Sequence, residues 1–249
     1  MAAEPELPPK QASVIVDSAL ELDQRIWRYI KLEQLLAMLR RDRNGNHTLH
    51  FSPLCTMQDL AEKFMSPQAV RETAEKLPPH VTGNGEVVVG AMAARWREDM
   101  CVNCWCMCNY QSAALWSLYA GARGLAIEST VRRLRDCFNE PQDLLMGITL
   151  EPVRYYTEEQ ADEYLKAEVW GSRAIKWSSF DYEREIRATV IRSQNMGSGA
   201  DVPIDLSQLI VHLFVSPEAG DWIVPVVRDV VRQYGLDFPV EKASLRVLR

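Results

Sequence analysis

Short β-like runs recur along the whole chain, separated by helical spacings, but they never settle into a regular strand–helix–strand rhythm. That irregular interleaving is the strongest constraint on the fold. A doubly wound parallel sheet needs strict alternation and a helix bundle needs no strands. The expectation is therefore an α+β fold, a single domain with a mixed or split β-sheet core flanked by helices. The clearest run is 185–192, where Ile186, Ala188 and Val190 share one face and Arg187, Thr189 and Ile191 the other, as a pleated strand requires. Residues 26–30, 48–52, 100–107, 124–128, 148–156 and 210–215 read as further strands, with a last short one at 245–248. Helical spacing marks 32–39, 112–119, 130–138, 158–169 and 219–234, the last ended by Gly235. Residues 55–82 read as helical up to Pro78-Pro79, and Val87-Val88-Val89 opens either a strand or a helix. Residues 1–22 carry three prolines and no period, so they are expected to form a loose arm ahead of a domain at 23–249.

Composition removes several classes of function. With 249 residues, 47% of them hydrophobic and 25% charged, the chain can bury an ordinary globular core. Its longest apolar runs, such as 209–215, fall far short of the roughly 20 residues of a membrane span. The first ten residues are acidic and proline-rich, unlike a leader, so a cytoplasmic location with no membrane partner is expected. A net charge of −6 argues against coating nucleic acid by bulk electrostatics. Four of the six cysteines cluster as Cys101-Val-Asn-Cys104-Trp-Cys106-Met-Cys108, which is not the dispersed pattern of a disulfide framework. Cys101 and Cys104 have zinc-knuckle spacing, but a tetrahedral site usually draws on two separated pairs. On a strand, Cys104, Cys106 and Cys108 share a face that Cys101 does not. They read as small buried hydrophobes, with no metal expected.

Nucleophile-elbow, Walker, His-Glu-x-x-His and dinucleotide-loop signatures are absent. The histidines are scattered, and a metal-dependent nuclease would need an Asp, Glu and His cluster that the sequence lacks. The densest chemistry lies at 176–187. There Glu183 and Glu185, at i and i+2 at the head of a strand, project to one side. One carboxylate then raises the other's pKa, or the two divide two tasks. The plainer alternative is a solvated edge where these residues form surface pairs with Arg184 and Arg187. Arg28, flanked by Trp27 and Tyr29, suits the capture of an anion or phosphate. Tyr110, Trp116 and Tyr119 lie among small residues, as in an aromatic-rich core helix.

Five separated segments carry a resemblance. They are Ile26-Trp27-Arg28-Tyr29, the run from Cys104-Trp105 to Tyr119, Gly124-Leu125-Ala126-Ile127-Glu128-Ser129-Thr130, Phe180-Asp181-Tyr182-Glu183-Arg184-Glu185-Ile186-Arg187-Ala188, and 209–217. In this order they resemble a bacterial family known as domain of unknown function 2971, over most of 26–246. The chain departs from that family at Cys106, Cys108 and Gln111, where relatives often carry His, Asn and Glu.

A second similarity is to the ADP-ribosyltransferases, which use an Arg or His on an early strand, a Ser or Tyr on a middle strand and a Glu, often as Glu-x-Glu, at the head of a late one. Arg28, then Ser52 or Ser129, then Glu183-Arg184-Glu185 are similar in type and order. The resemblance implies an ADP-ribosyltransferase-like arrangement with NAD as substrate and a macromolecular acceptor, protein or nucleic acid. It further implies a toxin or antiphage effector with a cognate antitoxin or inhibitor protein as partner. Catalysis would then fall to Glu185, Glu183 and Arg28. Glu185 would bind the ribose 2′-hydroxyl, Glu183 would orient or deprotonate the acceptor, and Arg187 would keep both carboxylates ionised. NAD would be bound by Arg28, Tyr29, Ser52, Trp116, Tyr119 and Ser129, with Tyr29 or Tyr119 against the nicotinamide. The alternative is a non-enzymatic ligand- or protein-binding module, of a defence or mobile-element system, that uses the same groove.

Overall fold

The computed structural model describes residues 12–57, 67–76, 84–139, 147–160, 174–192 and 199–245. Its strands are β1 (Val14–Val16), β2 (Arg25–Ile30), β3 (His47–Pro53), β4 (Met100–Met107), β5 (Leu125–Thr130), β6 (Ile148–Pro152), β7 (Arg154–Tyr156), β8 (Ile175–Trp177), β9 (Glu185–Ile191), β10 (Ala200–Ile204), β11 (His212–Val215) and β12 (Val240–Lys242). Among the described residues, ten strands form one mixed sheet in the order β1-β6-β9-β4-β2-β5-β11-β12, with β3 joining β4 and β10 joining β3. Strand pairs at both ends, β1 with β6 and β11 with β12, are parallel. Strands β7 and β8 make a separate parallel pair. The α+β expectation of a mixed sheet flanked by helices therefore holds.

The sheet is split at β4. Strand β2 pairs with it only through Ile26↔Met107 and Trp27↔Cys106, then departs. The chain turns through the helix Leu32–Leu39 and returns as β3, which rejoins the same edge at Ser52↔Val102 and Pro53↔Cys101. Between those anchors, among the described residues, the edge of β4 has no strand beside it. Side chains bridge the gap instead: Asn103 Nδ2 donates to the His50 carbonyl at 2.7 Å, and Arg28 Nη1 donates to the Cys104 carbonyl at 2.9 Å. Such bonds satisfy backbone groups that an interrupted ladder would otherwise leave unpaired.

One face of the sheet is closed by a single large apolar cluster. Leu35, Met38 and Leu39 enter it from the helix after β2, Val131 and Leu134 from the helix Val131–Asp136, and Val227 and Val231 from the helix Ile223–Gln233. In each helix the buried residues recur at helical spacing. A smaller aromatic cluster with Trp27, Trp116 and Cys106 lies beside Ala126 of β5.

Several expectations are corrected. The segment 1–22 is not wholly a loose arm, because Val14–Val16 pairs with Ile148–Leu150 and Leu20 is buried in the core; residues 1–11 lie outside the described residues. The run 148–156 is two strands, β6 and β7, broken at Val153, whose N–H reaches the Glu185 carbonyl. Val87-Val88-Val89 falls inside the helix Gly85–Asp99. The strand expected from 210 begins at His212, after a short helix Leu206–Leu209, and β10 and β12 were not foreseen. The helix expected at 158–169 is described only at Glu158–Gln160, a single 3₁₀ turn, and residues 246–248 of the expected last strand are outside the described residues.

Candidate functional site

A cleft of about 650 Å³ opens where β2 leaves β4, lined by Trp27, Arg28 and Tyr29, by Cys104, Trp105 and Cys106, and by residues of two turns. The first turn is the helix Ala113–Leu115. Ser112 caps it by accepting from the Leu115 N–H, and it widens into a π turn over Trp116–Ala120. The Gly121 N–H closes that turn onto the Trp116 carbonyl at 2.7 Å, and Gly121 adopts φ 66, the left-handed region open to glycine. Leu118 and Tyr119 reach the cleft from here. The second is the 3₁₀ turn Ser178–Glu183, which contributes Phe180, Tyr182 and Glu183.

Glu183 and Glu185 do converge, although not by strand alternation. Glu183 ends the 3₁₀ turn and Glu185 begins β9. The residue between them, Arg184, takes φ 43 and ψ 51. That left-handed step aims both carboxylates at one ammonium. Lys176 Nζ stands 2.7 Å from Glu183 Oε2 and 2.7 Å from Glu185 Oε2. Arg187 Nε donates to Glu185 Oε1 at 2.6 Å, and Tyr119 O–H donates to Glu183 Oε1 at 2.6 Å. The Tyr155 hydroxyl accepts from the Glu185 N–H at 2.8 Å. Lys176, Glu183, Glu185 and Arg187 are all buried, so a solvated edge of surface pairs is not what forms here.

The charges act on one another strongly because water is excluded. Burial alone would push the Glu185 carboxyl up. The Arg187 guanidinium and the Lys176 ammonium outweigh it and hold the group well below the usual carboxylate range. Burial, reinforced by Glu185, pushes the Cys104 thiol up, and burial with Cys108 carries Cys106 to about 12. Both thiols lining the cleft are thus protonated and weakly nucleophilic at neutral pH. Burial and its bond to Glu183 also raise the Tyr119 hydroxyl, and desolvation lowers Arg28.

The structure sorts the residues singled out from sequence. Arg28, Tyr29, Tyr119 and Glu183 line one cleft. Arg28 is not sandwiched by its neighbours in sequence; its guanidinium lies 6.0 Å from the Trp105 ring, and its Nε has no hydrogen-bond partner among the described residues. Trp116 stands behind the cleft, edge-on to Tyr29 at 5.3 Å, with its indole N–H donated to Gln111. It backs the wall of the cleft but does not line it. Glu185 is 2% exposed, both its oxygens are engaged, and it does not line the cleft. Ser129 is fully buried and donates its hydroxyl to the Leu209 carbonyl at 2.6 Å, so it is a fold residue and not a ligand contact. Ser52 sits on β3 where that strand rejoins β4, away from the cleft lining. Lys176 was missed as a site residue. Its only sequence signal was membership of the same dense segment.

Among the described residues, no group of three or more His, Cys, Asp or Glu side chains is placed to hold a metal ion. No described helix is long and apolar enough to cross a membrane. No family model and no curated protein matches this chain, so the resemblance to domain of unknown function 2971 stands on its motifs alone. A solved structure, Thermus sp. 2.9 DarT in complex with ADP-ribosylated ssDNA, is similar with a TM-score of 0.39 and 12% identity, over 90% of this chain and 96% of that chain. The match is long but loose.

Proposed function

We propose that the cleft binds NAD as a substrate and transfers its ADP-ribose to a macromolecular acceptor. The observation that carries this reading is Glu183, a carboxylate 7% exposed that lines the same cleft as Arg28 and Tyr29. Cleavage of the bond between ribose C1′ and the nicotinamide nitrogen sends the electron pair out with nicotinamide and leaves positive charge on the sugar. A fixed carboxylate in a poorly hydrated site stabilises that charge as it develops. The acceptor then supplies an electron pair to C1′ and loses its proton. Arg28 offers a guanidinium suited to the pyrophosphate. Tyr29, Phe180 and Tyr182 offer ring surfaces to the planar groups. The contact with the ribose, which the family resemblance gave to Glu185, passes to Glu183, because only Glu183 of the two lines the cleft.

A second reading, a binding module that takes the same ligand without turning it over, is favoured by one observation. Both Glu183 oxygens already accept from protein groups, Tyr119 and Lys176. Incubation with NAD labelled in the adenylate half separates the two. The expected result is release of nicotinamide and label in macromolecules. Glu183→Gln should lower that rate by about a hundredfold or more while NAD still binds. NAD binding without nicotinamide release would establish the binding module, and absence of binding would end both readings.

A further inference from the structure

Of the four buried charges behind the cleft, only Glu183 lines it. Lys176 touches both carboxylates, 2.7 Å from each, and it is itself buried. Glu185 is in turn fixed by Arg187, which has no exposed surface. The charges therefore form a chain that runs outward from the sheet: Arg187, Glu185, Lys176, Glu183. The Tyr119 hydroxyl closes it at the cleft end. Each link is a short charged hydrogen bond or ion pair, and the inner end is anchored on a strand paired along both edges.

We infer that Lys176 is the positioning residue of this site. Its ammonium ties Glu183 to the immobile Glu185–Arg187 pair, so that a carboxylate of fixed direction faces the sugar before any charge develops there. The inference rests on the reading of the cleft as an NAD site. Electrostatic stabilisation is largest when the stabilising group need not reorganise. Without Lys176, Glu185 keeps its pair with Arg187, whereas Glu183 keeps the neutral Tyr119 hydroxyl and loses its tie to that pair. Glu183 would then be free to swing away from its like-charged neighbour.

A role confined to folding predicts a different pattern from a role exerted through Glu183, and a double-mutant cycle on nicotinamide release distinguishes them. Lys176→Met is expected to lower kcat by roughly ten- to a hundredfold and to leave KM for NAD within about twofold of the parent. Adding Lys176→Met to Glu183→Gln should cost nothing further, because the lysine acts only through that carboxylate. Multiplying penalties, or an unchanged kcat in the single variant, would overturn the inference. Lys176→Gln guards against a variant that does not fold, since its amide keeps a donor in the buried site, but it is neutral and one atom shorter than lysine, so it no longer ties Glu183 to Glu185. It should melt cooperatively yet show a kcat about tenfold lower, and a parental kcat there would also overturn it. A parent that releases no nicotinamide removes the NAD reading and this role together. A parent that turns over while the cycle is additive removes the role of Lys176 alone.

Discussion

Strand β4 has two unlike edges. Along β9 it is paired without a break from Met100 to Cys106. Along its other edge it is paired only at the ends, to β2 by Cys106 and Met107 and to β3 by Cys101 and Val102. The continuous edge places charged side chains among fully buried neighbours and fixes them. The interrupted edge leaves room for a cleft and lets Arg28 fill part of the gap. One strand thus carries a structural seam on one side and a candidate site on the other, and substitutions on the two sides should have opposite consequences.

The largest effect is expected on the continuous edge. Arg187→Leu leaves the Glu185 carboxylate buried with Lys176 as its remaining cation, and should destabilise the fold by about 3–5 kcal/mol in urea unfolding. A loss below about 1 kcal/mol would mean that the seam is not where the fold is held. Acid should expose the same group next. The folded-state pKa of Glu185 lies below its unfolded value, so its contribution is complete above about pH 4.3 and is lost as pH falls from there through the folded value. His47 adds an earlier limb. Burial, then Arg41, depress its pKa, so stability begins to fall below about pH 6.5 as the unfolded state takes up the proton first. Thermal melts across this range should show both limbs, and Glu185→Gln should shrink the lower one, to which Asp201 also contributes.

The interrupted edge should answer differently. Arg28→Ala is expected to weaken NAD binding about tenfold or more, read by calorimetry, while stability changes by no more than about 1 kcal/mol. Equal losses of stability and affinity would erase the distinction between the edges. The smallest effect belongs to Ser52→Ala, at the far anchor of the gap: stability within about 0.5 kcal/mol and unchanged nicotinamide release. A clear loss of release would return Ser52 to the site.

Much of this arrangement was legible in the sequence, for reasons that can be named. Strand β9 was visible because its alternation is regular over its whole length, and Arg187 could be placed beside Glu185 from period alone. Strand β1 was hidden because Val14–Val16 is too short to show a period. Strand β10 was hidden because Pro203 interrupts it; its ladder runs along β3, and among the described residues its other edge meets the chain only at the Phe138↔Ile204 bridge. Arg28 stands out by residue type, but its neighbours mislead: alternation turns Trp27 and Tyr29 toward Trp116 while the guanidinium approaches Trp105. The fate of Ser129 depended on Leu209, eighty positions away, and the reach of Lys176 depended on the left-handed step at Arg184. Contacts made across such distances leave no trace in local spacing.

The detour from β2 through the helix Leu32–Leu39 to β3 leaves β4 and rejoins it on one edge, heading the same way at both anchors. The pairing frame on either side therefore does not depend on how many residues the detour contains. Residues 31–46, between the paired ends of β2 and β3, behave as a cassette: they can be lengthened, trimmed or exchanged between homologous chains while the strands on either side keep their alignment. Substrate preference can then diversify there at little cost to folding, because the segment that borders the cleft is also the segment whose length the sheet does not police.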